Sequence, residues 1–304
     1  MHYYNLHGFS LKSEIEFLEL RSGVVDPMPD FTLLLKDLSE VDNLFRPLLK
    51  EGMAVKGEEL FFDITDIGLF YFPDKQSVHV QLHPDAQLDD VRPYVHSNIF
   101  TVLLQMRGQF TLHGSSVILD DKLILFSGRA GAGKSTLLSQ LIMRGHHMFC
   151  DDRLVLEWNE EAQEFLASSG SAAIRLHFDS ISQLENSSML GEGQKLKYKK
   201  DKWSYNLDSV IHNGTFPLKK IYILRRLESQ NLACRVVEGK EKINILKRQS
   251  FKSQFVDLIG KRQEHCEFLS RIASRIPMEI VARPLNLSIP DFADYMEDKL
   301  AAHA

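Results

Sequence analysis

A glycine-rich segment near the middle of the chain has the residue types and the spacing of a phosphate-binding loop. Residues 128–135 read GRAGAGKS and fit the pattern G-x-x-x-x-G-K-[ST] without a mismatch. Glycines permit the backbone angles at which successive N–H groups point at one anion. In such a loop, Lys134 would reach the β and γ phosphates, and the Ser135 hydroxyl would bind Mg²⁺. The segment therefore predicts a nucleoside triphosphate site.

The segments around the loop have the pattern that such a site needs. KLILFSG, residues 122–128, reads as an apolar strand buried on both faces, in a hairpin with a strand over 111–119. A helix follows the loop and ends at Gly145, and its positive N-terminal end favours an anion. HHMFCDDRLVLEW then reads as one strand. The order strand, glycine loop, helix, strand predicts a βαβ unit.

An acidic pair, Asp151 and Asp152, ends the strand that follows the loop helix, at its carboxyl end. Open α/β sheets bind ligands at the carboxyl ends of their strands. One carboxylate can hold Mg²⁺ directly or through water, and the other can accept a proton from an attacking hydroxyl. The alternative is a solvated strand end at which an aspartate caps the next turn.

Several other polar residues are candidates for the same site. His113 stands with Gly114 on the strand before the loop, where a structural histidine is the alternative. Arg175 faces either the triphosphate or solvent, and Arg225 and Arg226 end a core strand. A lysine-rich loop would clamp an acidic substrate or would be solvated; its lysines are Lys195, Lys197, Lys199 and Lys200. Three neighbouring residues are too few for a metal site and are expected to pack: His146, His147 and Cys150.

Composition narrows the class of protein. The chain has 304 residues, a formal net charge of −5, 44% hydrophobic and 25% charged residues, which excludes wholesale disorder and predicts about two domains. The mild acidity argues against a nucleic-acid partner. No run reaches the ~20 apolar residues of a membrane span, and the N-terminus lacks a secretory signal pattern. The lack of a membrane span predicts that the protein has no membrane partner. Its three cysteines form no CxxC pair, and we expect the protein to lie in the reducing cytoplasm.

The predicted domain organisation has two parts. Residues 1–94 alternate β-rich runs with a helical spacing of leucines that starts at Asp30, and predict an α+β accessory domain. Its role stays open, with substrate docking as one candidate. Residues 95–304 carry the loop and predict the catalytic domain. Helices are expected over 91–107 and 247–276, and a last strand and helix are expected near 278–282 and 290–300.

The block LHGSSVILDDKLILFSGRAGAGKSTLLSQLIMRGHHMFCDD resembles the catalytic block of the HPr kinase/phosphorylase family. The shared motifs, in the same order, are His113-Gly114, the glycine loop, Arg144-Gly145-His146 and Asp151-Asp152. The tight match covers about forty residues. The N- and C-terminal portions resemble the stand-alone HPr-kinase-like proteins more loosely, and some of those phosphorylate a serine of a lasso-peptide precursor.

The resemblance implies an α/β fold with a P-loop kinase core of HPr-kinase type and a smaller N-terminal α+β domain. It implies ATP and Mg²⁺, and a peptide or protein with a serine as phosphate acceptor. By motif position, Asp151 would be the proton-accepting base, Asp152 with Ser135 would lie on the metal side, and His113 would lie near the transferred phosphate. The expected nucleotide-binding residues are Gly128, Arg129, Ala130, Gly131, Ala132, Gly133, Lys134, Ser135, Thr136 and Arg175.

Two other function classes stay open at this point. One is a small-molecule kinase or a plain ATPase, and the other is a nucleotide-binding regulator without transfer chemistry. The acidic pair favours a catalyst over the regulator. The identity of the phosphate acceptor and the existence of a reverse phosphorylase activity stay open, and the sequence is compatible with a homo-oligomer.

Overall fold

The computed structural model shows a mixed α/β protein with two large sheets, which confirms the predicted fold class in this coarse form. Side chains are not described for the short strands between 173 and 206. The described residues are 1–18, 20–169, 173–177, 193–195, 202–206, 214–228 and 231–301. The chain divides into two compact units, Met1–Gln109 with Lys252–His265, and Phe110–Phe251 with Cys266–Ala304.

The first unit is built on an eight-stranded sheet with the strand order β3-β1-β2-β4-β8-β7-β6-β5. Its strands are β1 (His2–Leu6), β2 (Phe9–Ser13), β3 (Arg21–Ser22), β4 (Phe31–Leu35), β5 (Met53–Lys56), β6 (Glu59–Ile64), β7 (Gly68–Phe72) and β8 (Ser77–Leu82). Its helical segments are α1 (Ser39–Phe45), a 3₁₀ turn (Arg46–Leu48), α2 (Leu88–Tyr94), a π-helix (Val95–Ile99), α3 (Phe100–Met106) and α4 (Gln254–Leu258).

Two differences from the sequence analysis lie in this unit. The helix expected from Asp30 is wrong over its first turn, since β4 pairs in parallel with both β2 and β8 and buries alternate residues, Phe31 and Leu33. A short apolar run fits either period, and the two strand neighbours decide it. The predicted domain boundary at residue 94 falls between α2 and the π-helix, whereas the compact unit continues to Gln109. The π-helix joins α2 to α3 without a break, so the three segments stay together.

The second unit contains the glycine loop and most of the remaining elements. Its strands are β9 (Phe110–Leu119), β10 (Lys122–Ser127), β11 (His147–Cys150), β12 (Arg153–Asn159), β13 (Glu164–Ser168), β14 (Ala173–His177), β15 (Gly193–Lys195), β16 (Lys202–Asn206), β17 (Thr215–Leu227), β18 (Ala233–Val236) and β19 (Met278–Pro284). Its helices are α5 (Lys134–Met143), α6 (Gly239–Gln249), α7 (Arg262–Arg275, in this unit from Cys266) and α8 (Ile289–Ala301). The prediction of one helix over 247–276 is wrong. The segment contains the end of α6, then α4 and then α7, with a turn after each of the first two.

The strand directions bring three carboxyl ends to one edge of the sheet. β10 is antiparallel to β9 in the predicted hairpin and parallel to β17, which is parallel to β19. β11 is antiparallel to β9, so it is parallel to β10 with β9 between them. The predicted βαβ unit is therefore present, with one strand intervening. The loop after β10 opens at the same edge as the ends of β17 and β19.

Apolar side chains cover both faces of this sheet and fix α5. On one face they pack against α5 and α8, and this core includes Val117, Ile124, Phe126, Leu137, Leu138, Leu141, Met148, Tyr222, Leu224, Val281, Phe292 and Met296. On the other face they pack against α6 and α7, and that core includes Leu112, Leu123, Leu125, Phe149, Leu154, Ile221, Ile223, Ile245, Leu246, Leu269, Ile272 and Ile280. None of the described helices has the length and apolar character to cross a membrane.

A buried carboxylate, Glu279 on β19, connects three elements of this unit. It accepts hydrogen bonds from Lys220 Nζ at 2.6 Å, Lys299 Nζ at 2.8 Å and Cys234 Sγ at 2.9 Å. Burial acts to raise its pKa, but the hydrogen bonds from Cys234, Lys220 and Lys299 outweigh it and lower the pKa to about 2. The ionised carboxylate therefore stabilises the fold above its ordinary pKa of 4.5, and this contribution is lost as the pH falls toward 2.

Glu279→Gln should lower the free energy of unfolding at pH 7 by roughly 3 kcal/mol, because Lys220 would then be a buried charge without its counter-charge. The acid loss of stability between about pH 5 and pH 2 should also become shallower. Urea unfolding at pH 7 and pH 3 measures both effects. Glu241→Gln, at an exposed ion pair with Arg235, is the control and should change little. Equal effects of the two substitutions would contradict the assignment.

Candidate functional site

The glycine loop leaves β10 in a conformation that requires glycine. Gly128 has φ +148°, and a Cβ there would lie 2.5 Å from the carbonyl oxygen of Leu224 on β17. Gly131 and Gly133 have φ +78° and +94°, where other residues are strained. Gly133 is the N-cap residue of α5, so the loop ends at the unsatisfied backbone N–H groups of that helix.

The loop lysine lies inside the loop, where its charge faces carbonyl oxygens. Lys134 is buried, and its Nζ donates to the carbonyl oxygens of Gly128 at 2.9 Å and Arg129 at 3.2 Å. This holds a positive charge beside the N-terminus of α5. Arg129, Ala130 and Gly131 are exposed at the tip of the loop. Ala132 is buried, and the Thr136 hydroxyl lies one residue beyond Ser135 in the first turn of α5.

A glutamine from a distant helix holds the start of the loop. Oε1 of Gln249, at the end of α6, accepts hydrogen bonds from Ser127 Oγ at 3.0 Å and from the Gly128 N–H at 3.1 Å. The sequence analysis missed Gln249, because nothing near it in sequence marks it as part of the loop.

The acidic pair lies at a break between two strands, so a strand does end at this pair as predicted, whereas the reading of HHMFCDDRLVLEW as one continuous strand is wrong. β11 ends at Cys150 and pairs with the second half of β9, while β12 starts at Arg153 and pairs with the first half. At the break, Asp152 has φ +83°, a left-handed conformation that costs about 1–3 kcal/mol in a residue other than glycine. Such strain is found at functional sites more often than elsewhere.

Asp151 joins the break to the loop helix. Its Oδ1 accepts hydrogen bonds from Ser135 Oγ at 3.0 Å and from Ser115 Oγ at 2.6 Å. The serine expected to bind Mg²⁺ therefore lies against Asp151, whereas the sequence analysis places Asp152 on that side. Mg²⁺ binds one or two protein oxygens together with phosphate oxygens and water. Ser135 and Asp151 supply such oxygens, so the residues fit this ion.

His113 lies on the other side of the break. Its Nδ1 is 2.8 Å from the backbone carbonyl oxygen of Asp152 and 3.4 Å from Oδ1 of the same residue. A carbonyl oxygen only accepts, so Nδ1 carries a proton, and in the neutral ring Nε2 does not. Burial and then the charge of Lys134 lower the pKa of His113, which favours the neutral ring. The ring stacks on Phe251 at 5.9 Å between centroids.

The structure thus brings the five predicted catalytic and metal-binding residues together at the end of the glycine loop. The five are His113, Lys134, Ser135, Asp151 and Asp152. Arg225 and Arg226 are exposed at the end of β17. The side chains of Arg175 and Lys195 lie outside the described residues, and so do Lys197, Lys199 and Lys200.

The remaining motif residues have structural roles. His146 Nε2 lies 2.9 Å from Glu297 Oε1 on α8, and Arg144 pairs with the same carboxylate at 3.0 Å. Burial raises the pKa of Cys150 to about 12, so this thiol stays neutral, and its Sγ lies 3.1 Å from Ser116 Oγ. These residues therefore fix α8 and β11 to the rest of the unit.

No protein-family model and no curated protein matches the chain. Among solved structures, the chain is similar to the Hpr(Ser) kinase/phosphatase from Coxiella burnetii. The sequence identity is 15%, the alignment covers 64% of this chain and 99% of that chain, and the TM-score is 0.34. A likeness at this level carries no argument about chemistry.

Gly128→Ala should destabilise the chain more than Gly145→Ala. Both glycines have a positive φ, and alanine at such a position costs roughly 1–2 kcal/mol. Only at Gly128 would the new Cβ also meet backbone, and this overpacking should add roughly 1–3 kcal/mol. Urea unfolding of the two variants gives the comparison. Equal losses would show that the close approach of the loop to β17 is not a constraint.

Proposed function

We propose that this protein is an ATP- and Mg²⁺-dependent kinase that transfers the γ-phosphate to the serine hydroxyl of a peptide or protein. The observation that carries the proposal is the hydrogen bond between Ser135 Oγ and Asp151 Oδ1, 3.0 Å long. It places the carboxylate of Asp151 directly beside Ser135, which follows the buried Lys134. That combination of groups fits a phosphate site with a divalent ion.

In the proposed complex, the loop N–H groups and the first turn of α5 hold the phosphates. Lys134 Nζ exchanges its partners, the carbonyl oxygens of Gly128 and Arg129, for phosphate oxygens. Ser135 and Asp151 would hold Mg²⁺, which supplies charge neutralisation for the transferred group. Because the transition state of phosphoryl transfer is loose, positioning and electrostatics supply most of the rate acceleration.

The proton-accepting role fits Asp152 better than Asp151. Asp151 is already engaged by two serine hydroxyls, and the side chain of Asp152 is 30% exposed at the strand break. His113 lies beside Asp152 and would orient it. We therefore propose the reverse of the assignment that the motif positions imply, with Asp151 on the metal side and Asp152 as the base.

The serine acceptor is supported by the resemblance of the forty-residue block, and the strained Asp152 supports a catalyst over a passive nucleotide-binding subunit. Transfer of label from γ-³²P-ATP to a library of serine-containing peptides tests the acceptor. ATP turnover in the absence of any acceptor should be slow. Fast turnover without an acceptor, and no labelled peptide, would replace this proposal with a plain ATPase.

Lys134→Ala should abolish detectable transfer and weaken MgATP binding at least tenfold, since the buried ammonium then no longer contacts the phosphates. Isothermal calorimetry measures binding. Lys122→Ala, an exposed lysine on β10, is the matched control and should bind as the wild type does. MgATP binding that survives unchanged in Lys134→Ala would remove the glycine loop from the nucleotide site.

Asp151→Asn and Asp152→Asn should have different effects. Asp151→Asn should raise the Mg²⁺ concentration needed for half-maximal activity, because a metal-side oxygen loses its charge. Asp152→Asn should lower kcat by roughly 10²- to 10⁴-fold at an unchanged Mg²⁺ requirement, the usual range for a lost base. Asparagine tolerates the left-handed conformation at position 152 and has nearly the shape of aspartate at position 151, so both variants should fold. If Asp151→Asn lowered kcat and Asp152→Asn raised the Mg²⁺ requirement instead, the assignment implied by the motif would be restored.

A further inference from the structure

Arg283, near the end of β19, is a buried cation whose counter-charge is missing from the described part of the chain. The residue is only 5% exposed, and no described carboxylate forms an ion pair with it. One nitrogen, Nη1, donates to the carbonyl oxygen of Leu287 at 3.1 Å. Its Nε is buried and has no hydrogen-bond partner among the described residues. The guanidinium also lies 5.5 Å from the ring centroid of Phe292.

A buried charge in this state is costly unless another group compensates it. A neighbouring charge makes the cost larger, because Arg226 on β17 is the register partner of Arg283 and carries the same sign. Burial and then the charge of Arg226 lower the pKa of Arg283. Two arginines at one sheet edge, one of them buried with an unused donor, form a site that an anion would complete.

The guanidinium is directed at the glycine loop. Its Nη2 lies 4.0 Å from the position that a Cβ on Gly133 would take, so it borders the N-terminus of α5. The topology explains this, since β10, β17 and β19 are parallel and their carboxyl ends share one edge. Nε and Nη2 form one edge of the guanidinium, and such an edge can bind two oxygens of one phosphate.

We propose that Arg283 is a phosphate-binding residue that donates from Nε and Nη2 to the nucleotide held by the glycine loop, with Arg226 adding to the positive field. This inference rests on the proposed nucleotide site. It makes that site a composite of the glycine loop and the end of β19, which lies about 150 residues further along the chain.

The test compares MgATP binding by calorimetry for the wild type, Arg283→Gln, Arg283→Lys and Arg225→Gln. Arg225→Gln is the matched control, because it removes the same charge from the adjacent strand at an exposed position. Arg283→Gln should raise the Kd about tenfold or more, the usual effect of losing a charged hydrogen bond. Arg283→Lys should raise it less, and Arg225→Gln less than twofold.

A thermal-shift series separates phosphate binding from a structural role. In buffer without phosphate, Arg283→Met should have a Tm at or above the wild-type value, because it removes an uncompensated buried charge. Magnesium pyrophosphate should then raise the Tm of the wild type and of Arg225→Gln more than that of Arg283→Met. A large drop in Tm without pyrophosphate, with an undiminished pyrophosphate shift, would make Arg283 structural and overturn the inference.

The two proposals fail in distinguishable ways. If the wild type binds MgATP and Arg283→Gln binds it within twofold of the wild type, the inference about Arg283 fails while the nucleotide site stands. If the wild type binds neither MgATP nor magnesium pyrophosphate, the proposed function fails and the inference fails with it.

Discussion

The second unit depends on one carboxylate, Asp151, which connects three elements that are separate in sequence. Its Oδ1 accepts one hydrogen bond from the Ser115 hydroxyl on β9 and one from the Ser135 hydroxyl at the start of α5. These two contacts bring the glycine loop and the break between β11 and β12 to the same point. This junction holds the proposed phosphate site and the proposed base together.

The junction also explains where the chain carries strain. β9 pairs with β11 along one half and with β12 along the other, and the change of partner falls at Asp151 and Asp152. The chain turns there with Asp152 at φ +83°. This conformation interrupts the regular strand, and packing on both faces of the sheet offsets its cost.

Local patterns in the sequence predict the parts of this site that local chemistry determines. The glycines, Lys134 and Ser135 follow from the spacing of the motif, and the flanking strand and helix follow from their apolar periods. The sequence also predicts that Ser135 and the acidic pair lie close together, because both come at the ends of segments in one βαβ unit. The spacing of apolar residues alone does not distinguish helix from strand in a short run, and the residues of β4 fit a helical spacing as well.

Long-range pairing determines the rest, and no local signal encodes it. Gln249 reaches Gly128 from about 120 residues away, and Arg283 reaches Gly133 from about 150. Their roles depend on the strand order, which brings β17 and β19 beside β10. The acidic pair marks the end of β11, but the start of a second strand at Arg153 is hidden, since only the pairing with the first half of β9 reveals it.

The most direct measurement is a crystal structure of the chain with Mg²⁺ and a non-hydrolysable ATP analogue. The account predicts phosphate oxygens within hydrogen-bond distance of the loop N–H groups and of Lys134 Nζ, with the metal bound to Ser135 Oγ on the side of Asp151. An analogue bound away from the loop, or a metal held by Asp152 with Asp151 turned away, would contradict it.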